Sequence, residues 1–99
     1  MDLHQFQASL KEKACPVGLD IYLQALWFDG KGDWHKAHDL VNDLNTQEGA
    51  RVHAYLHRKE GDFGNADYWY RRSGSTRPVI SLDDEWKKLV VDFINNHNS

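Results

Sequence analysis

Ala25-Leu26-Trp27-Phe28-Asp29-Gly30-Lys31-Gly32-Asp33-Trp34-His35-Lys36-Ala37 is the stretch whose reading decides the fold, because its spaced residues return 29 positions later. Ala25, Gly32, Asp33, Trp34, Ala37 and Val41 align with Ala54, Gly61, Asp62, Phe63, Ala66 and Tyr70. The small residues let two helices approach closely. The Gly-Asp pair turns the chain and starts the next helix, with the aspartate accepting a backbone N–H bond. The aromatic after it packs back over the turn. One helical hairpin is therefore written twice.

Outward from this stretch, apolar residues keep helical spacing. Leu3, Phe6, Leu10 and Ala14 predict an amphipathic helix over residues 2–14. Cys15-Pro16 closes it, since the residue before proline avoids the helical region. Residues 18–29 are dense in Leu, Ile, Tyr, Trp and Phe with almost no polar face. A strand competes there, but length and the repeat favour a helix covered on more than one side. Asp33 caps a helix over 34–44, Thr46 caps one over 47–59, and Asp62 caps one ending near Arg72. Ser81 and Asp84 form a capping-box pattern that opens a last helix over 81–96. Trp86, Leu89, Val90, Phe93 and Ile94 share one face of it, and the polar tail from Asn95 to Ser99 is expected to fray. The expected fold is all-α and a single domain. Antiparallel hairpins at about 18–44 and 47–73 are flanked by N- and C-terminal capping helices.

Composition narrows the function. A chain of 99 residues holds one domain, and 40% apolar with 27% charged residues is globular. The net charge of -3 is too near balance for a non-specific nucleic-acid binder. The charge is unevenly spread. Residues 1–50 carry four lysines against eight acids, whereas 51–72 carry Arg51, Arg58, Lys59, Arg71 and Arg72 against Glu60, Asp62 and Asp67. Cys15 is the only cysteine, so no internal disulfide forms, which suits a reducing compartment. Met1-Asp2-Leu3-His4 does not open a secretory signal, and the longest apolar run, Ala25 to Phe28, is far short of a membrane span. A cytoplasmic protein without a membrane partner is expected.

The hairpin residues of 18–73 resemble the tetratricopeptide repeat, which places a small residue in the first helix, Gly-Asp-aromatic at the turn, and alanine then an aromatic in the second. The period is shorter than the family's roughly 34 residues. There are two units, and the closing proline is absent after both unless Pro78 serves late. Ala54-Tyr55-Leu56-His57-Arg58-Lys59-Glu60-Gly61-Asp62, with Asn65-Ala66 and Tyr68-Trp69-Tyr70-Arg71-Arg72, also resembles a family of small bacterial proteins with no assigned function. The tetratricopeptide resemblance implies a concave groove lined by the first helix of each hairpin. Position by position, that groove holds Leu19, Tyr22, Leu26 and Asp29, then Glu48, Arg51, Tyr55, Arg58 and Lys59. It implies a protein- or peptide-binding module without catalysis or cofactor, using Tyr22, Arg51, Tyr55, Arg58 and Lys59. Two guanidiniums on one face suit a partner with an anionic group, because arginine forks onto carboxylate. An ordinary solvated face, its arginines paired to nearby acids, competes with that reading.

His53 and His57 give a second reading. Their i, i+4 spacing puts both imidazoles on one helix face, a geometry that can hold a metal. Ala54 stands where a zincin motif needs glutamate. His35, His38 or Asp39 can approach across the hairpins as a third ligand. A metal-binding protein or enzyme would use this pair, with Tyr55 or Glu60 moving protons. Packing histidines that donate to tyrosines or carboxylates explain the pair without a ligand, and that explanation is preferred. The run Tyr68 to Arg72 mixes rings with cations, yet three consecutive rings on a helix point three ways. Tyr70 belongs to the core and Trp69 to a contact with the last helix, so nucleic acid is not expected. Cys15 has no base beside it, and Asp83 with Asp84 is explained by a helix start. Four tryptophans leave pairing with a second copy as a third reading.

Overall fold

The computed structural model describes residues 1–98, and their regular structure is helical throughout: α1 (Leu3–Ser9), α2 (Ile21–Gly30), α3 (Trp34–Val41), α4 (Gln47–Glu60), α5 (Phe63–Arg72) and α6 (Leu82–Asn98). The fold is all-α, and the strand alternative for the aromatic run falls away. α2 packs on α3 and α4 on α5.

The two Gly-Asp turns have the same backbone. Gly32 and Gly61 both have φ 87°, in the left-handed region that glycine enters without a Cβ penalty. Asp33 comes next at φ -102°, ψ 74° and Asp62 at φ -90°, ψ 77°. The Asp33 N–H donates to the Phe28 carbonyl and the Asp62 N–H to the His57 carbonyl, again 29 residues apart. Each carboxylate then accepts from the third residue of the new helix, Lys36 or Asn65. Ala25, Ala37, Ala54 and Ala66 are all fully buried, which is the close approach their size permits. The aromatics after the turns part company. Trp34 is half-buried, because α4 covers it. Phe63 is 49% exposed under the Arg77 guanidinium, since no third hairpin packs on α5.

Several boundaries differ from the sequence reading. α1 stops at Ser9, not near residue 14, because the chain tightens into successive three-residue turns from Leu10 to Glu12. Lys31 holds that tightened segment by donating to the carbonyls of Leu10 (2.8 Å) and Glu12 (2.9 Å). α2 begins only at Ile21, where the Asp20 side chain accepts from the Leu23 N–H. α3 ends at Val41, short of residue 44. α6 continues through the tail to Asn98, and Ser99 lies outside the described residues.

α6 lies against the expected groove. It packs along α1, α2 and α4, on the face assigned from the sequence to a partner. The Trp86 indole N–H donates to the Leu26 carbonyl (3.0 Å), and Phe93 stacks on Tyr22 with centroids 5.3 Å apart. Phe6, Leu23, Leu26, Trp27, Leu56, Leu89 and Val90 complete the core around it. All five assigned binding residues have partners within the chain. Arg51 pairs with Asp92 at 3.0 Å. Arg58 pairs with Glu85 at 2.7 Å and also donates to the Ile80 carbonyl. Tyr55 is 2% exposed and donates to Asp29, which also takes Lys59 at 2.9 Å. Tyr22 shares a hydrogen bond with Thr46. The chain's own last helix thus takes part of the trough, and the Arg51 and Lys59 side chains stay 31% and 39% exposed.

Glu85 is the polar centre of this contact. It is buried and accepts from both Arg58 and Tyr70, the latter at 2.7 Å. Burial, then the hydrogen bond to Glu85, pushes the Tyr70 phenol upward and keeps it a donor. Removing one partner of a buried pair strands the others. Glu85→Ala is therefore expected to lower the unfolding free energy in urea by about 3 kcal/mol. Asp92→Ala removes the half-exposed partner of Arg51 and is expected to cost under about 1 kcal/mol. Equal losses would contradict the assignment of Glu85 as the buried anchor.

Candidate metal centre

α4 is buried over most of its length, through Gly49, Ala50 and the run from Val52 to His57. His53 and His57 lie on that run at 4% and 7% exposure, so their ring nitrogens must find partners inside the protein. Three helices supply them.

Trp34 docks α3 onto α4 by donating its indole N–H to the Leu56 carbonyl (2.8 Å). One turn further, His38 stacks on Trp34 with centroids 4.9 Å apart and planes at 11°. This places the His38 Nε2 3.0 Å from the His53 Nε2, where one ring donates to the other. From the opposite side, α5 lays Trp69 on His53, with centroids 4.0 Å apart and planes at 14°. Asn65, one turn before Trp69, brings its amide Nδ2 to 3.4 Å from the His57 Nε2. The other nitrogen of that ring, Nδ1, is 2.8 Å from the Glu60 carboxylate. Because the carboxylate accepts there, Nδ1 carries a proton, which leaves Nε2 as the nitrogen that can turn to a metal.

One ring nitrogen from each of His38, His53 and His57 lies within 4.8 Å of the other two. Burial, then the neighbouring His57, lowers the His38 pKa. Burial, then His38 and His57, lowers His53 to about 4. Both rings are accordingly neutral near pH 7, and the donor ring offers its Nε2 lone pair to a metal once its proton moves to Nδ1. Bonds of about 2.0–2.1 Å in a tetrahedral site put ligand nitrogens about 3.4 Å apart. The His38–His53 pair is already inside that spacing, and the widest separation must close by about 1.4 Å. Three imidazoles favour zinc, copper, nickel or cobalt over calcium or magnesium, which take oxygen ligands. A carboxylate on the far nitrogen of a ligating histidine is the arrangement that orients such rings.

The sequence pair thus acquires its third member from α3. His38 joins it, while His35 is exposed at the edge of Trp34, and Asp39 is exposed outside the group. Of the partners expected for packing histidines, His57 has its carboxylate, but His53 meets a histidine and a tryptophan. Trp69 stacks on His53, not on the last helix. Asn65 and Trp69 were visible only as parts of a motif, since nothing local in α5 says that its face meets α4 at the histidines. Elsewhere, burial pushes the Cys15 thiol up, away from the reactive thiolate. A cleft beside Asp29, Tyr55 and Lys59 is floored by groups already paired to one another. Among the described residues, no helix is long and apolar enough to cross a membrane. No protein-family model, curated protein or solved structure matches the chain.

The His53 shift has a readable sign. The unfolded ring takes a proton near 6.5, whereas the folded one resists until about 4. Stability from this group is full above about pH 6.5 and declines as the pH falls toward about 4. In chelator-treated protein, the His53 ring resonances are expected to titrate near 4; a midpoint near the ordinary value would show a solvated ring.

Proposed function

We propose that the protein binds one divalent transition-metal ion, of the zinc type, through His38, His53 and His57. The observation carrying this is the convergence of three imidazoles from two helices within 4.8 Å, one of them oriented by Glu60. The indoles of Trp34 and Trp69 brace two of the rings, so the histidines keep their directions without the ion. Three protein ligands leave a fourth position for an external group. The scaffold is, in this reading, a doubled hairpin of tetratricopeptide type, supported by the two matching Gly-Asp turns. Capture of a peptide at Arg51 and Arg58 is the less favoured reading, because Asp92 and Glu85 of α6 already pair with them.

The test is a zinc titration of untagged, chelator-stripped protein. One ion per chain is expected, with a rise in melting temperature that grows with free zinc. His38→Gln removes a ligand at a half-buried position and should weaken zinc about 100-fold or more, since even an outer partner is worth about 10–100-fold. Glu60→Gln keeps all three ligands and is expected to weaken zinc about tenfold. His35→Gln should change nothing, and circular dichroism checks that each variant is folded. Failure to hold stoichiometric zinc, or equal losses in His35→Gln and His38→Gln, would overturn the proposal.

A further inference from the structure

Around the three imidazoles, the surroundings are unequal. Indoles flank His38 and His53, and Glu60 takes the far nitrogen of His57. Asn65 is exposed and reaches the remaining nitrogen of His57, so the cluster meets solvent beside its amide. The Asn65 contact is long at 3.4 Å, and its N–H donates into the very lone pair that a metal would take. An ion on that nitrogen displaces the amide. The amide then keeps a donor with no acceptor, next to the metal's open position. A ligand that fills both needs has one oxygen for the metal and a second acceptor oxygen beside it.

We infer that the fourth position takes a monocarboxylate, with one oxygen on the metal and the other accepting from the Asn65 amide. This rests on the metal reading. Charge separates the carboxylate from a phosphate. Three neutral imidazoles leave the ion's two positive charges intact, and the adjacent Glu60 offsets one of them. A single negative charge balances the remainder, whereas a dianion overshoots it. Arg72, which lies over Trp69, donates to Tyr68 and Asn45.

Cobalt(II) in place of zinc makes the site visible, because its absorption bands respond to the fourth ligand. The full chain is loaded with one equivalent of cobalt and titrated separately with acetate, inorganic phosphate and thiocyanate. Acetate should shift the bands with saturation and bind more tightly than phosphate. Asn65→Ala should hold cobalt at least as well as the parent, since the competing hydrogen bond to His57 is gone. It should bind acetate about tenfold more weakly, the worth of one hydrogen bond to a charged group. Thiocyanate, which coordinates end-on, should change less than twofold or so between the two proteins. Cobalt bound normally but blind to acetate, acetate affinity unchanged in Asn65→Ala, or phosphate bound more tightly than acetate would each overturn the carboxylate assignment while leaving the metal site standing. Absence of cobalt binding would remove both.

Discussion

The structure depends on one constraint: α4 is enclosed by its neighbours while carrying two imidazoles on its buried run. A helix enclosed in this way cannot leave its polar groups to water. α3, α5 and α6 are each tied to it by a polar contact as well as by apolar packing. Trp34 reaches the Leu56 carbonyl from α3, Asn65 reaches His57 from α5, and Glu85 reaches Arg58 from α6. The histidine cluster is the place where the first two of these dockings meet.

What could be read from the sequence was what local chemistry decides. The Gly-Asp turns are legible because a left-handed glycine with a capping aspartate directly after it is a property of a few adjacent residues. The i, i+4 histidines are legible for the same reason, since helical spacing alone puts them on one face. The end of α1 is not, because Lys31, far along the chain, supplies the donors that hold the tightened segment. Nor is the difference between Trp34 and Phe63, which are equivalent in pattern but not in the helices that pack over them.

The groove shows most clearly what local pattern leaves open. Arg51, Tyr55 and Arg58 do share a face, as their spacing requires, and that face does take acidic partners. The partners are Asp92, Asp29 and Glu85 of the same chain. Nothing in the pattern of α6 says which face it covers; its apolar stripe fits any trough of the right length. His38 illustrates the converse. The sequence offers it beside His35 and Asp39 as a candidate third member, and only the docking of Trp34 onto the α4 backbone brings its ring to His53.

If that docking builds a metal centre, the ion should see the three rings directly. Zinc-edge X-ray absorption on the one-to-one complex is the most direct measurement. It should show three imidazoles at about 2.0–2.1 Å with one further light-atom ligand, and one imidazole fewer in His38→Gln. A nearest shell made mainly of oxygen, or a spectrum that His38→Gln leaves unchanged, would contradict the account.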